Sequence, residues 1–363
     1  MLLQKVISLL SSQQWWSCRR RTRGYCQFLF LSNNKRNTTP PPAAATAMIA
    51  NRHECFSYST TTTGGSGSEI PHPFVSVGDF KSVKYWKENK GRVAHVMLNR
   101  AERLNAIDQH MPMELERAVK MANFDDQVKV ILLYGEGNAF SSGYDLKIFS
   151  EGKRGEMLGN QEMPWDPLID FRFMSACTSA FMEIWRSTKP VIAKIHRVAI
   201  GGGSDIALAC DVTFTEDNAR IGYPPSRVWG CPTTAFWFYR VGMEKAKRIL
   251  LTGEILSGRK AADIGLIGES LKTSEELDEA VEAFIARIVT VPSNQLWFQK
   301  QMINQAVESM GLLNTQRLAT IFDGMSRHTP EGVAFQQRAA QVGFKQAVME
   351  RDSGMVAEWS DKK

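Results

Sequence analysis

Short apolar runs alternate with helical patterns through the middle of the chain. Residues 92–99 alternate apolar side chains on two faces, while 128–134 and 191–195 are runs of β-branched and apolar residues, as is typical of buried strands. Helical patterns occupy 108–121, where one face is apolar, and 204–209, after three glycines. Strands and helices in alternation predict an α/β fold in which helices cover the sheet.

Beyond residue 268 the pattern is helical. We expect helices over residues 275–289, 294–310 and 331–351, with breaks at Pro292 and Pro330. Apolar runs throughout the chain end before ~18 residues, so no membrane-spanning helix is expected.

The charge of the chain is distributed unevenly. The 363 residues carry a formal net charge of +6, but residues 1–53 contain no Asp or Glu and eight Lys or Arg. The remaining residues hold 36 of the 44 basic side chains and all 38 acidic ones, a net charge of −2. A body with this balance has no broad positive surface for a phosphate backbone, so we expect no nucleic-acid partner.

The first 53 residues have the composition of an organelle-targeting leader. They are rich in Arg and Ser, lack acids, and mix apolar with polar residues near the start. This composition predicts a mitochondrial targeting leader over 1–53 and a matrix location; a disordered tail that is not cleaved is the alternative. Residues 54–78, with a Thr- and Gly-rich stretch, are expected to form a flexible linker.

Metal and disulfide chemistry have no support in the sequence. The six Cys include no Cys-x-x-Cys pair, and the six His show no metal-ligand spacing. We therefore expect no metal site, and no redox cofactor is indicated.

The strongest local signal is a run of three glycines, Gly201-Gly202-Gly203, between a strand and a helix. Bare backbone N–H groups at a helix N-terminus can bind a developing negative charge, although the glycines could equally form a tight turn. Two familiar glycine motifs do not fit this run. The dinucleotide-binding motif Gly-x-Gly-x-x-Gly and the nucleophile motif Gly-x-Ser-x-Gly both end on a small residue, and at that position this chain has Ile206. Neither a Rossmann dehydrogenase nor a serine hydrolase is therefore supported.

Two other strands also lead into loops that can carry chemistry. Residues 103–107 (Arg-Leu-Asn-Ala-Ile) follow the first strand, and residues 139–147, which include Gly143, follow the second. An N–H group from the Gly143 loop and one from the three-glycine loop would form an oxyanion hole if they converged on a carbonyl oxygen.

These loops, in this order and separation, resemble those of the crotonase (enoyl-CoA hydratase/isomerase) superfamily. The resemblance runs from about residue 93 to 351 and includes Thr252-Gly253, residues 257–267 and residues 329–332. It implies an α/β fold built as a spiral of ββα units with a helical C-terminal trimerisation region. It also implies an enzyme that stabilises the enolate of an acyl-CoA thioester, with CoA entering as part of the substrate.

The resemblance also assigns site residues. The oxyanion hole would consist of the backbone N–H groups of Tyr144 and Gly202, and Asp205 would be the acid/base where hydratases usually have Glu. Asp205 lies in the first turn of the expected helix, so stabilisation by the helix dipole is the alternative interpretation of its position. Six residues fall where the family holds the CoA moiety: Arg103, Asn105, Ala106, Asp145, Leu146 and Lys147.

One departure from the family concerns the second catalytic carboxylate. Hydratases have a second Glu further along the chain, at the position of Pro225, and here no Asp or Glu occurs between Asp217 and Glu244. A double-bond isomerase needs a single base, so one carboxylate can suffice for that reaction. The candidate pocket residues in this segment are Tyr223, Arg227, Trp229 and Cys231.

We therefore expect a crotonase-like acyl-CoA-binding core over residues 79–290 and a helical oligomerisation region over 291–363, assembled as a homotrimer or homohexamer. The expected function is hydration or isomerisation of an enoyl-CoA in fatty-acid or related acyl-CoA catabolism. Two alternatives stay open. One is another enolate reaction on acyl-CoA, namely decarboxylation, thioester hydrolysis or carbon–carbon cleavage; the other is a non-catalytic subunit that binds CoA esters.

Overall fold

The computed structural model describes residues 79–150, Gln161 and residues 164–355, apart from the side chains of residues 149 and 150. The predicted leader and linker, and the end of the predicted C-terminal region, lie outside these residues. Within them, the chain forms two β-sheets flanked by helices.

Nine strands of the described residues build the two sheets. They are β1 (Val83–Glu88), β2 (Val93–Leu98), β3 (Val130–Gly135), β4 (Val191–Ile195), β5 (Val198–Ile200), β6 (Val212–Glu216), β7 (Arg220–Gly222), β8 (Ile255–Ser257) and β9 (Glu269–Leu271). The larger sheet has the order β1-β2-β3-β4-β6-β9 and is parallel except for the β1–β2 pair. The smaller sheet has the order β5-β7-β8, with β5 parallel and β8 antiparallel to β7.

Twelve α-helices of the described residues connect and cover the strands. They are α1 (Met111–Asn123), α2 (Leu146–Ser150), α3 (Pro167–Arg186), α4 (Gly202–Leu208), α5 (Phe236–Val241), α6 (Met243–Thr252), α7 (Gly258–Asp263), α8 (Ser274–Ile288), α9 (Ser293–Ser309), α10 (Leu312–Ser326), α11 (Pro330–Val342) and α12 (Phe344–Asp352). Side-chain caps define several of their starts, as where Asp166 and Thr329 accept hydrogen bonds from amides in the first turns of α3 and α11.

The larger sheet is buried on both faces, as its apolar runs predict. Ile131 and Leu133 belong to the core that includes residues of α1 and α3, whereas Leu132 and Ile192 belong to a second cluster with residues of α8. Successive side chains of a strand point to opposite faces, so one apolar run can serve two layers. The predicted α/β class is confirmed.

The predicted C-terminal helices need correction. Residues 331–351, predicted as one helix, form α11 and α12, which are separated at Gly343 (φ +81°) because a positive φ ends a helix. Helices α3 and α10 are not among the predicted helices; both place polar side chains, such as Asp170 and Asp323, on their buried faces, where an apolar residue would be expected. No helix of the described residues is both long and apolar enough to cross a membrane.

Candidate active site

Hydrogen bonds join the three predicted loops. The Ile107 amide donates to the Gly143 carbonyl oxygen (2.8 Å), which connects the first loop to the second. The Ser141 amide donates to the Val198 carbonyl oxygen (2.9 Å), and the Ile200 amide donates to the Ser141 carbonyl oxygen (3.1 Å). These bonds connect the second loop to β5, which leads into the three glycines, so the structure brings together segments that are far apart in the sequence.

Two glycines allow the loops to approach this closely. Gly143 has φ +88°, and a β-carbon there would lie 2.7 Å from the Ile200 carbonyl oxygen and 3.4 Å from the Gly202 nitrogen. A β-carbon on Gly202 would lie 2.9 Å from a ring carbon of Tyr144. A side chain at either position would displace its neighbours, so the contact between these segments depends on glycine.

The predicted oxyanion donors, Tyr144 and Gly202, lie on these touching segments. Gly202 is the first residue of α4, and the N–H groups of a first helical turn have no acceptor within the helix. The Tyr144 ring packs against Gly202, and its hydroxyl is buried beside the Cys177 thiol. Burial raises the pKa of Tyr144 well above its usual range, so the phenol stays protonated. Binding of a thioester oxygen by the two amides remains a prediction.

Asp205 lies in the first turn of α4, three residues after Gly202. The residue is 1% exposed, and its carboxylate accepts a hydrogen bond from the Thr234 hydroxyl (2.6 Å). Burial raises the pKa of Asp205 to about 7, because the hydrogen bonds from the Thr234 hydroxyl and nearby amides offset burial only in part. A carboxyl group that titrates near neutral pH can give and take a proton, which suits an acid/base role.

Two of the predicted pocket residues, the buried Tyr223 and the half-buried Cys231, lie near Asp205. The Tyr223 hydroxyl donates to the Cys231 carbonyl oxygen (2.8 Å). Burial, reinforced by the Asp205 charge, raises the pKa of Tyr223 well above its usual range, and burial raises the pKa of Cys231 to about 11. Both groups therefore stay protonated near neutral pH, and neither can serve there as the missing base.

Arg227 and Trp229, the other predicted pocket residues, contact different parts of the chain. Arg227 donates to the Thr252 carbonyl oxygen (3.0 Å), and the Trp229 ring packs edge-on against Phe335 of α11, with 5.5 Å between the ring centroids. These two side chains contact α6, α11 and α12, since Arg227 also donates to the Arg351 carbonyl oxygen (3.4 Å), and a role in a substrate pocket stays a prediction for both.

The six predicted CoA-binding residues differ in how their side chains are used. The Asn105 side chain is buried and hydrogen bonds three backbone groups around its loop, while Asp145 accepts a hydrogen bond from Arg100 (2.9 Å). These two side chains therefore hold the loops in shape. Arg103 and Lys147 are exposed, where a CoA phosphate could reach them. Of the remaining two, one is buried and one half-buried: Ala106 and Leu146.

A second buried carboxylate, which the sequence analysis missed, comes from α10. Asp323 is 5% exposed, its Oδ1 accepts a hydrogen bond from the Cys231 amide (3.2 Å), and its Oδ2 lies 3.3 Å from a guanidinium nitrogen of Arg327. The charge of Asp323 contributes to the raised pKa of Asp205. The signal that could have found it is a row of polar residues on one face of α10: Gln316, Thr320 and Asp323.

A separate cleft of about 360 Å³ lies at the carboxyl ends of β3 and β4. Three of its charged groups have partners within the protein, since Lys194 pairs with Asp278 (2.7 Å) and Glu216 accepts a hydrogen bond from Ser274. None of the predicted site residues lines this cleft. In the part of the chain that the structure describes, no group of three or more side chains is arranged to hold a metal ion.

The fold and the site define a class of enzyme. Two glycine-containing segments meet beside a buried carboxyl that titrates near neutral pH, which is how a protein can polarise a carbonyl oxygen and move a proton next to it. The sequence profile of the enoyl-CoA hydratase/isomerase family matches residues 88–336, and the chain belongs to that family. The predicted crotonase resemblance and fold are confirmed.

Individual relatives agree with the family match. The crystal structure of an enoyl-CoA hydratase from Mycobacterium smegmatis is 39% identical, with a TM-score of 0.71 over 76% of this chain and 95% of that chain. An enoyl-CoA hydratase/isomerase structure from Xanthobacter autotrophicus is 29% identical, with a TM-score of 0.68 over 76% of this chain and 98% of its own. A Dictyostelium discoideum relative, whose name describes a mitochondrial enoyl-CoA hydratase, is 28% identical over 225 residues, 61% of this chain and 75% of its own.

Proposed function

We propose that the protein catalyses the hydration or the double-bond isomerisation of an enoyl-CoA, in the breakdown of fatty acids or related acyl groups. One arrangement carries the proposal. Asp205, a buried carboxyl with a pKa of about 7, lies three residues beyond Gly202, and Gly202 lies against the Gly143 loop. The names of the relatives, which describe enoyl-CoA hydratases and an enoyl-CoA hydratase/isomerase, support the same substrate class.

The chemistry follows from the charge that forms during the reaction. Addition of water at C3, or removal of an α-proton, pushes electrons onto the thioester oxygen. The backbone N–H groups of Tyr144 and Gly202 would hold that oxygen, and removal of one such donor typically costs ~10²–10³ in rate. Asp205 would give or take a proton beside it, a contribution of ~10²–10⁴. These steps need neither a metal nor a redox cofactor, and CoA takes part as the carrier of the acyl group.

Turnover by the purified protein tests the proposal. We expect conversion of at least one trans-2- or trans-3-enoyl-CoA, followed by mass spectrometry over a panel of chain lengths. Asp205→Asn should lose at least ~100-fold in rate while it binds the acyl-CoA with unchanged affinity. An Asp205→Asn protein with the full rate would show that this carboxyl is not the acid/base.

Other outcomes of the same panel favour the alternatives. Binding of acyl-CoA without turnover of any substrate would favour a non-catalytic subunit. Release of free CoA would indicate thioester hydrolysis, release of CO₂ would indicate decarboxylation, and a shortened acyl chain would indicate carbon–carbon cleavage.

We also propose that the C-terminal helices form the contact between copies of this chain in a homotrimer or homohexamer. The face of α10 opposite its buried polar row carries an apolar stripe at positions i, i+3, i+4 and i+7, and these side chains are 44–50% exposed: Leu318, Ile321, Phe322 and Met325. Exposed apolar stripes mark protein interfaces, and a second copy of this chain is the occupant we propose. Light scattering of the purified protein tests it, since the mass of a monomer would contradict the proposal.

We propose that the protein is imported into mitochondria. The acid-free, Arg-rich composition of residues 1–53 supports it, as does the mitochondrial name of the Dictyostelium discoideum relative. A fluorescent fusion of the full chain should enter mitochondria, and the same fusion without residues 1–53 should not.

A further inference from the structure

Asp323 lies beside the position where the family has its second glutamate. A β-carbon on Gly230 would lie 3.1 Å from Asp323 Oδ1, 3.2 Å from the Pro225 β-carbon and 3.5 Å from the Tyr223 hydroxyl oxygen. These three groups therefore surround one point. The acid that is missing from the segment between Asp217 and Glu244 has a counterpart in space, supplied by α10.

Asp323 is buried, whereas a carboxylate that only stabilises its own helix is usually exposed on the surface. One oxygen, Oδ1, accepts the hydrogen bond from the Cys231 amide, whereas Oδ2 is buried and has no hydrogen-bond donor among the described residues. Arg327 lies 3.3 Å from Oδ2 as an ion-pair partner. Buried carboxylate oxygens are normally hydrogen bonded, so Oδ2 is an atom at which a water or a substrate can bind.

A short segment, from Cys231 to Thr234, connects the two buried carboxyls. The Cys231 amide donates to Asp323, and the Thr234 hydroxyl donates to Asp205. Gln316 lies on the same face of α10 as Asp323. Its side chain donates to the Thr234 carbonyl oxygen (3.0 Å), which holds α10 against the same segment. The positions of Asp205 and Asp323 are thus set by common contacts.

We propose that Asp323 is the second carboxyl of the active site, and that Asp205 and Asp323 act as an acid and base pair in the hydration of an enoyl-CoA. This inference rests on the proposed function and narrows it to hydration, because an isomerase needs one base and hydration uses two groups. The opposed roles require one carboxyl to be protonated while the other is ionised.

In the proposed hydration each carboxyl moves one proton. One carboxylate takes a proton from water as the water oxygen bonds to C3, and the electron pair of the C2–C3 double bond moves onto the thioester oxygen. The thioester carbonyl then re-forms as C2 takes a proton from the other carboxyl. Transfer of one proton from the first group to the second, through solvent, restores the enzyme, and the net reaction is enoyl-CoA plus water giving 3-hydroxyacyl-CoA.

The surroundings disfavour ionisation of both carboxyls at the same time. Burial raises the pKa of both carboxyls, and the charge of Asp323 raises the pKa of Asp205 further, while Arg327 and the Cys231 amide act in the opposite sense on Asp323. Five other titratable groups face the pair. Four of them stay protonated, namely Tyr144, Tyr223, Cys177 and Cys231. The fifth is Asp170, which is ion-paired with Arg327 (3.4 Å). The four protonated groups do not replace either carboxyl as a base near neutral pH.

Asp323→Asn is the first test, since the amide keeps the shape and can still accept the Cys231 hydrogen bond. We expect hydration of a trans-2-enoyl-CoA to fall at least ~100-fold, with acyl-CoA binding and unfolding temperature unchanged. The wild-type pH profile should have two limbs, and each Asn variant should lose one of them. The double variant Asp205→Asn/Asp323→Asn should be no slower than the slower single variant by more than about threefold, because paired groups act as a unit.

Two further variants separate catalysis from structure. Asp323→Glu should recover part of the lost rate, since it restores the carboxylate. Glu350→Gln is the matched control, because Glu350 is also 5% exposed and is ion-paired with Arg338 (2.8 Å) at the other end of the C-terminal helices. Its hydration rate should stay within about twofold of wild type.

The outcomes are distinguishable. Hydration by Asp323→Asn near the wild-type rate would overturn the role of Asp323 and leave the proposed function intact, as would fully additive losses in the double variant. If the Asn variant does not fold, the wild-type profile decides, and a single limb would overturn the proposal. Wild-type protein that hydrates no enoyl-CoA but isomerises one would limit the chain to the one-base reaction and also overturn it.

Discussion

Replacement of Asp205 by Asn should stabilise the protein at alkaline pH while it removes activity. Burial raises the pKa of this carboxyl from 3.8 to about 7. In the unfolded chain the carboxyl loses its proton near the usual value, whereas the folded protein keeps the proton until about pH 7. The unfolded state therefore binds fewer protons over this interval, and the free energy of unfolding falls as the pH rises through it.

The size of the effect follows from the shift. A change of about three pKa units corresponds to about 4 kcal/mol, at 1.36 kcal/mol per unit. This loss of stability in the wild-type protein is fully present above pH 7 and nearly absent at pH 4. Asn cannot ionise, so the free energy of unfolding of Asp205→Asn, relative to wild type, should rise by about 4 kcal/mol between pH 4 and pH 8. Comparison of two pH values cancels changes in packing and hydrogen bonding that do not depend on pH.

Urea unfolding, followed by circular dichroism at pH 4, 6 and 8, measures this difference. Protein concentration must be fixed, because assembly makes apparent stability depend on concentration. Asp126→Asn, in an exposed turn, is the control and should show no comparable rise. A difference between Asp205→Asn and wild type that changes by less than about 1 kcal/mol across this range would show that Asp205 ionises normally, and its role as a neutral-pH acid/base would fail.

Three further predictions concern the hydrogen bond, the glycine contact and the interface. Thr234→Val removes a hydrogen-bond donor that favours the ionised form of Asp205, so the limb of the pH–rate profile that reports this carboxyl should move up by about one pH unit. Thr234→Ser keeps the hydroxyl and should leave the limb in place. An unmoved limb in Thr234→Val would contradict the assignment of that limb to Asp205. Gly143→Ala should lose at least ~100-fold in turnover, because its β-carbon would lie 2.7 Å from a carbonyl oxygen. Gly311→Ala is the control, since Gly311 also has a positive φ but a β-carbon there would meet no atom within 4 Å. This control should lose about 1 kcal/mol in stability and keep its turnover. Equal turnover in the two alanine variants would refute the argument. Phe322→Glu should reduce the mass measured by light scattering to that of a monomer, and an unchanged mass would exclude this part of α10 from the interface.

The sequence predicted the parts of the site that depend on local geometry. The buried strands were readable from continuous apolar runs, and the loops from glycines at strand ends. The close approach that makes Gly143 and Gly202 necessary is a property of three segments in contact, which the order of motifs indicates but does not measure. The raised pKa of Asp205 depends on burial by the whole core, which no local pattern displays.

Asp323 shows why part of the site was out of reach. Its position depends on how α10 packs against the Cys231–Thr234 segment, a contact between residues about 90 apart in the chain. A search for the second acid near Pro225 in the sequence could not find it, since the neighbour is supplied by tertiary packing. The polar face of α10 was visible in the sequence, but without the fold a polar row on a helix is usually a solvent-exposed face.

The central claim is that the protein stabilises the enolate of an acyl-CoA thioester, and exchange of the α-protons of a saturated acyl-CoA with heavy water tests it most directly. Butyryl-CoA incubated with the wild-type protein in heavy water should gain deuterium at C2, detected by mass spectrometry. The double variant Asp205→Asn/Asp323→Asn should bind the same compound and incorporate none. Wild-type protein that binds butyryl-CoA and leaves its C2 protons unexchanged would contradict the account.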